Sequence, residues 1–212
     1  MRKTIDIVSK ALSILLYPLF VPTYGVALFC VAFSRQVIPL PFVWSLTAVI
    51  GTFLLTCALP LSAIWIMMRR GEVTDMQINN ASERTIPYLY SVMGFAFWCY
   101  LMISILQVPL SIRFVAIGAT LAIGTVAVIN KWWKISAHLT GLGGLFGGVM
   151  SYCMGIGVIP SWTALIIWFA LCVVLMYARV YLKAHTPAQV CAGWLLGISF
   201  TFLPYCMYLY VA

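Results

Sequence analysis

Long apolar blocks, separated by short polar segments, are the feature of this sequence that most limits its fold. A helix that crosses a bilayer needs about 20 consecutive, mostly apolar residues. The blocks show neither the alternation of a half-buried strand nor the amphipathic stripe of a soluble helix. The sequence therefore predicts an all-α, polytopic transmembrane bundle that forms a single integral membrane domain over residues 1–212. The seven predicted spans are about 11–33, 42–68, 87–106, 113–130, 138–158, 161–181 and 187–211.

The scarcity of charge excludes a soluble fold. Only 8% of the 212 residues are charged and 64% are hydrophobic, whereas about 25% of an ordinary soluble domain is charged. A soluble domain of this length could not cover so much apolar surface. We expect a lipid bilayer as the surroundings of the chain, and no nucleic-acid partner.

Three predicted spans have irregular features. The first contains Pro18 and Pro22, and a bundle of six spans with one partly embedded helix is the alternative. The second is long enough to tilt or bend, and Pro60 offers a bend point. The fifth carries glycines at a four-residue spacing, which lets two helix backbones approach closely in a bilayer. These glycines are Gly143, Gly144, Gly147 and Gly148.

The charges of a seven-span bundle collect on one membrane face. Ten of the twelve basic residues and all four acids fall there, which is the positive-inside pattern and predicts that this face is cytoplasmic. The basic residues are Arg2, Lys3, Lys10, Arg69, Arg70, Arg84, Lys131, Lys134, Arg179 and Lys183, and the acids are Asp6, Glu72, Asp75 and Glu83. Only Arg35 and Arg113 fall on the opposite face. Topology explains part of this asymmetry, but not why basic residues precede both histidines.

Both histidines lie at the start of a predicted span on the charged face. His138 closes the segment that begins at Lys134, and His185 follows Arg179 by six residues. A third polar segment, residues 79–87, opens the third span. Helix starts present free backbone N–H groups and positive dipole ends, so three of them with nearby Arg, Lys and Ser favour an anion site, most naturally for phosphate.

Two histidines beside a phosphate can divide the work of phosphoryl transfer. One attacks phosphorus as a neutral imidazole, and the other donates a proton to the leaving oxygen. Arginines neutralise charge on the equatorial oxygens. This scheme needs no metal and no cofactor, and the seven cysteines, all within apolar blocks, indicate neither a disulfide framework nor a metal site.

The three segments resemble the three signatures of the type 2 phosphatidic acid phosphatase superfamily, which includes membrane lipid phosphatases. That family's pattern is K-x6-R-P, then P-S-G-H, then S-R-x5-H-x3-D. The third signature matches best, because Arg179 and His185 have the required spacing, although Ala178 replaces Ser and Gln189 replaces Asp.

The other two signatures are more eroded, and the resemblance covers a phosphatase-like core at about 77–193. In the second signature, Ser136, Ala137 and His138 match S-G-H with one change between small residues, and Ile135 replaces Pro. In the first signature Arg84 fits, while Gln77 and Thr85 stand at the Lys and Pro positions.

The resemblance implies a role for each matched position. His185 is the nucleophile that forms a phosphohistidine, and His138 is the general acid. Arg179 and Arg84 hold the phosphoryl oxygens together with Ser136 and the backbone from Ser136 through Ala137 to His138. From the residues alone, Lys134 is a further phosphate-binding candidate, with snorkelling to lipid headgroups as the alternative.

Gln189 is the most serious departure from the family's pattern. The family's Asp fixes the tautomer of the nucleophilic imidazole and stabilises its positive state, whereas a Gln carbonyl brings no charge. Gln189 is thus either a His-orienting residue or only part of a capping box that begins at Thr186. Asp75 and Glu83 are the only plausible substitute acids for His185.

The sequence therefore predicts a metal-independent membrane phosphatase. It hydrolyses a lipid phosphate or pyrophosphate through a phosphohistidine, and its substrate is a phospholipid or an isoprenoid-lipid phosphate: phosphatidate, phosphatidylglycerol phosphate, polyisoprenyl pyrophosphate or phosphorylated glycolipid. The alternative is a catalytically weak or inactive lipid-phosphate binding or transport protein. We expect the cell (inner) membrane as its location, with the site on the cytoplasmic face by charge count and the opposite face as the alternative.

Overall fold

The computed structural model describes residues 2–74 and 83–211, and within these ranges the chain forms helices and no strands. Eight continuous helices follow one another, and short connections join most of them. They are α1 (Arg2–Leu15), α2 (Val21–Gln36), α3 (Phe42–Arg69), α4 (Thr85–Ile105), α5 (Leu110–Ile129), α6 (Ala137–Gly155), α7 (Trp162–Tyr181) and α8 (Pro187–Val211).

Five of the described helices are long and apolar enough to cross a membrane: α3, α4, α5, α7 and α8. The all-helical membrane bundle is thus confirmed in outline, but the seven spans are not. The first predicted span, 11–33, is two helices separated near Pro18, and α2 has only 16 residues. The fifth, α6, has 19 residues, and its glycines and polar side chains dilute its hydropathy.

The long helix α3 accommodates Pro60 without a sharp break. Pro60 has no N–H with which to continue the regular hydrogen-bond ladder. The turn just before it, Leu54–Ala58, is π-helical, and the N–H of Leu59 bonds to the carbonyl of Leu54. A second π-helical turn, Leu101–Ile105, ends α4. The predicted bend point of the second span is therefore a local widening of the helix.

Glycines hold α6 and α8 against each other in the most extensive helix–helix contact of the bundle. A Cβ atom added at Gly143 would overlap the carbonyl of Trp194 on α8, and one at Gly147 would overlap the side chain of Thr201. From the other side, a Cβ at Gly197 would overlap the carbonyl of Thr140. The close approach predicted from the glycine spacing is confirmed.

From α2 onward, helices that are consecutive in the chain run in opposite directions, so the ends that carry the polar segments meet at one end of the bundle. Gly141, near the start of α6, lies against Val21 at the start of α2. At the far end the hydroxyl of Tyr152 donates to the Gln36 side chain at the end of α2, 3.0 Å away. α1 packs against α7 at the polar end. We call this the site end of the bundle.

Candidate functional site

A turn at the end of α7 brings His185 next to Arg179. The carbonyl of Arg179 accepts the backbone N–H groups of Ala184 (3.1 Å) and His185 (3.4 Å). The chain reverses at Lys183, which has a φ of 53° and lies in the left-handed region, and such a residue with a bond back to the last helical turn is a common way to end a helix. The spacing of six residues between Arg179 and His185 is the length that this turn needs.

The starts of α6 and α8 are joined directly. The N–H of Ser136 donates to the carbonyl of Gln189, 3.3 Å away, and Gly193 leaves room for the Ser136 carbonyl, which an added Cβ would overlap. The N–H groups of Ala137 and His138, at the first turn of α6, have no hydrogen-bond partner within the described residues. Two unbonded helix-start amides therefore lie beside both histidines.

His185 has a fixed tautomer. Its Nδ1 lies 3.1 Å from the carbonyl oxygen of Lys134, and a carbonyl only accepts, so Nδ1 carries the proton and Nε2 presents a lone pair. Burial, reinforced by the Arg179 guanidinium, lowers the pKa of His185 to about 4. The imidazole is thus neutral at pH 7, which is the form that a nitrogen nucleophile requires.

His138 contacts the end of α1. Its Nε2 lies 3.0 Å from the carbonyl oxygen of Ser13 and donates a hydrogen bond to it, and its ring meets the edge of Tyr17 at a centroid distance of 5.6 Å. His138 is 7% exposed, and both Arg179 and His185 are near enough to act on it electrostatically. Acid catalysis by Nε2 requires that the bond to Ser13 be exchanged for one to a leaving oxygen.

Arg84 is oriented by an asparagine that the sequence reasoning missed. Its Nη1 donates to Oδ1 of Asn130 (3.2 Å), while Nδ2 of Asn130 donates to the Val126 carbonyl (2.9 Å) and to the Tyr88 hydroxyl (3.3 Å). Asn130 directly follows α5, where its position beside Lys131 and the tryptophans suggests an ordinary interfacial residue. The only available signal was a single amide among apolar neighbours.

Arg179 is buried, and no Asp or Glu side chain among the described residues forms an ion pair with it. It is 5% exposed, and its Nε has no hydrogen-bond partner among the residues described. The guanidinium is charged at every physiological pH, and a buried charge without a partner is strongly unfavourable. Its surroundings therefore suit an anion.

One cavity of about 340 Å³ is lined by five of the predicted site residues. Arg84, Ala137, His138, Arg179 and His185 all line it. These five residues come from three distant parts of the sequence, and the packing of the helices brings them to one cavity.

The remaining predicted positions lie outside this lining. Ser136 is fully buried and its Oγ has no hydrogen-bond partner in the described part of the chain, while Lys134 offers its backbone carbonyl to His185. Oε1 of Gln189 accepts the Thr186 N–H at 3.0 Å, and Thr186 Oγ1 accepts the Gln189 N–H at 3.4 Å. This is the capping box, and Gln189 also lies near enough to raise the pKa of His185 slightly.

Glu83, one of the two proposed substitute acids, does not line the cavity. The carboxylate of Glu83 binds the N–H and hydroxyl of Thr74, at 2.8 and 3.0 Å. Asp75 and Gln77 lie outside the described residues. Within the described residues, the carbonyl of Lys134 is the group that accepts the hydrogen bond from His185 Nδ1.

Within residues 2–74 and 83–211, no group of three or more His, Cys, Asp or Glu side chains lies close enough together to hold a metal ion. All seven cysteines are free thiols. Comparisons with models of known protein families, with curated proteins and with solved structures give no match.

The arrangement combines the parts that phosphoryl transfer needs. A neutral imidazole with a free Nε2, a second imidazole, two arginines and two helix-start amides line or border one cavity. Arginines and helix starts favour tetrahedral oxyanions, and the lone pair of His185 supplies a nucleophile.

Proposed function

We propose that the chain is a membrane phosphatase that hydrolyses a lipid phosphate or pyrophosphate, as its resemblance to the type 2 phosphatidic acid phosphatases implies. The observation that carries this proposal is the burial of Arg179 beside both histidines. Arg179 is buried, forms no ion pair within the described part of the chain and lines the same cavity as both histidines, and a phosphoryl group supplies a negative charge beside it. The five apolar helices are suited to a bilayer, and a lipid substrate is dissolved in the same bilayer.

In the first step, Nε2 of His185 attacks phosphorus. A P–N bond forms as the bond to the leaving oxygen breaks, and His138, which enters this step as the imidazolium, gives that oxygen a proton and becomes neutral. Arg84 and Arg179 balance the charge on the equatorial oxygens. In the second step, water attacks phosphorus, the P–N bond breaks, and His138 takes the water's proton. Phosphate leaves and both histidines return to their starting states.

A lipid-phosphate binding or transport protein without turnover is the second candidate function. The missing carboxylate favours it, because among the described lining residues there is no Asp or Glu to stabilise the positive charge that His185 acquires on attack. The carbonyl dipole of Lys134 fixes the same tautomer but contributes less stabilisation.

The site end faces the cytoplasm in this proposal, and the membrane is the cell (inner) membrane. The positive-inside pattern is the support, because Lys3, Lys10, Arg69 and Arg70 gather at the site end apart from the proposed catalytic groups.

Phosphate release by the purified protein tests the proposal. The substrates are phosphatidate, phosphatidylglycerol phosphate, a polyisoprenyl pyrophosphate and a phosphorylated glycolipid. We expect release from at least one of them and no detectable release by His185→Ala. The matched control is Lys131→Ala, which removes an exposed basic residue at the same end and leaves the rate unchanged.

A trapping experiment separates the two candidate functions. With substrate labelled in its phosphate, acid-labile phosphohistidine should accumulate on His138→Ala, provided that its second step is slower than its first, and be absent from His185→Ala. A wild-type protein that binds these lipids but releases no phosphate and carries no label would favour the binding protein and reject the phosphatase.

A further inference from the structure

The cavity extends far beyond the phosphate-binding residues. Along α5 it is lined from Asn130, at the site end, to Ile112 near the opposite end. At 1.5 Å per helical residue this is about 27 Å, close to the roughly 30 Å of a bilayer's hydrocarbon core. A site for phosphate alone would not need this depth.

The walls between the two ends are largely apolar. Phe29 of α2, Trp98 and Met102 of α4, and Ala119 and Val126 of α5 contribute to them. The far end carries a polar pair, because Tyr152 and Gln36 line the cavity there and are hydrogen-bonded to each other. The cavity is therefore cationic at one end and apolar along its length, which is the polarity of a lipid phosphate.

The volume of the cavity fits one hydrocarbon chain better than two. An engineered cavity of about 150 Å³ holds benzene, with its six carbons. By the same ratio the 340 Å³ of this cavity accommodates about 14 carbon atoms. That is the volume of about one hydrocarbon chain, and two chains of similar length would need about twice the volume.

We propose that this cavity is a binding site for one hydrocarbon chain, so that the protein selects single-chain lipid phosphates over two-chain phospholipids. The proposal rests on the proposed function for the phosphate end only. The phosphate lies among Arg84, Arg179 and the histidines. The chain runs between α2, α4, α5 and α6 toward Tyr152, and the Tyr152–Gln36 pair limits its length.

Phosphate release from matched lipids tests the selection. The probes are 1-palmitoyl lysophosphatidate, dipalmitoyl phosphatidate and glycerol phosphate, which has no chain. We expect kcat/KM for the single-chain lipid to exceed that of each of the other two by at least about tenfold, because the apolar cavity contributes binding only to a chain that fits it. Equal rates for the two lipids would overturn the inference and leave the phosphatase intact.

Substitutions that fill the cavity test the position of the chain. Ala119→Phe blocks it about 16 Å below Asn130 and should lower kcat/KM for palmitoyl lysophosphatidate by at least about tenfold, while octanoyl lysophosphatidate is spared. Ala127→Phe, on the same helix but outside the cavity lining, is the matched control. Ala32→Phe fills the cavity from α2, and it replaces Ala119→Phe in this test if Ala119→Phe fails to fold. If neither Ala119→Phe nor Ala32→Phe changes the preference for chain length, the inference is overturned.

Photolabelling tests the chain site without turnover. A palmitoyl lysophosphatidate with a diazirine at its terminal carbon should label peptides that contain Met102 or Tyr152. If such labelling occurs while none of the three probes is hydrolysed, the chain site is supported and the phosphatase is rejected. Labelling confined to outward-facing positions such as Ile166, which is 66% exposed, would overturn the chain site.

Discussion

Arg179 has the surroundings of a residue kept for function at a cost in stability. Its guanidinium is 5% exposed, and its Nε has no partner among the described residues. Replacing a buried ion pair with apolar side chains of similar volume is often neutral or stabilising by about 1–4 kcal/mol, and a buried charge outside an ion pair lacks even the attraction of the pair. We therefore expect Arg179→Met to raise the free energy of unfolding by about 1 kcal/mol or more while lowering kcat by at least about 100-fold. Detergent-solubilised protein, followed by thermal unfolding and phosphate release, provides both measurements.

Orthovanadate, a phosphate mimic, supplies the control for the Arg179 prediction. Vanadate should raise the melting temperature of the wild type and leave that of Arg179→Met unchanged. If Arg179→Met unfolds at a lower temperature than the wild type without vanadate, the arginine is structural and the anion site is wrong.

His185 should remain neutral well below the ordinary pKa of histidine. Its pKa is lowered to about 4, first by burial and then by Arg179, whereas a histidine in an unfolded chain titrates near 6.5. Between these two values the unfolded state binds more protons, so stability should fall as the pH is lowered from about 6.5 to about 4. NMR of protein with isotope-labelled histidine measures the titration directly, since the chain has only two histidines.

The variant His138→Ala assigns the two histidine signals, because it leaves His185 as the only histidine. We expect the remaining signal to keep its neutral chemical shift at pH 5. Protonation with a midpoint near 6.5 would contradict both the burial of His185 and its hydrogen bond to the Lys134 carbonyl.

At the scale of helices, the contact between α6 and α8 positions the site. The α6 start carries His138 and the α8 start follows His185, so separation of these helices moves the two imidazoles apart. In a helix, Gly→Ala ordinarily gains about 1 kcal/mol from propensity. At Gly143 the added Cβ overlaps the Trp194 carbonyl, and overpacking costs about 1–3 kcal/mol. We expect Gly143→Ala to lower both the melting temperature and the rate of phosphate release.

Gly124→Ala is the matched control for the helix contact, because an added Cβ at Gly124 meets nothing within 4 Å. It should keep full activity and the same or a higher melting temperature. Equal effects of the two substitutions would mean that the α6–α8 contact does not control the position of the histidines.

The sequence predicted most helices but not where the first span breaks. The apolar blocks predict five helices of membrane length. A backbone N–H or C=O group without a hydrogen bond is costly in lipid, and a helix satisfies all of these groups within one segment. Pro18 and Pro22 were the signal that residues 11–33 are irregular. Whether such prolines bend one helix or separate two depends on packing, here of α1 on α7 and of α2 on α6. No local pattern encodes that choice.

The candidate site was predictable where local spacing defines it. The six-residue separation of Arg179 and His185 is a local helix-end turn, so the sequence carries it. The contacts that complete the site join distant segments: the Ser13 carbonyl on His138 and Asn130 on Arg84. Such pairs depend on the register between helices, which one sequence does not provide.

At the scale of the whole molecule, the distribution of charge predicts which way the bundle lies in the membrane. Lys183 is exposed at the site end, and Ile159, in the connection between α6 and α7, is 90% exposed at the opposite end. In a variant without its seven native cysteines, Lys183→Cys and Ile159→Cys form a matched pair of probes. With the site end in the cytoplasm, an impermeant maleimide should label Ile159→Cys in intact cells and Lys183→Cys only after permeabilisation.

The reversed labelling pattern would place the phosphate end outside the cytoplasm, in conflict with the positive-inside pattern. It would leave the cavity and its chemistry intact, because these depend on how the helices pack and not on which side they face. It would change the source of the substrate, since a chain bound between α2 and α5 then enters from the outer leaflet. Labelling of both cysteines in intact cells would instead contradict the path of the chain, because α7 must carry it from one end of the bundle to the other.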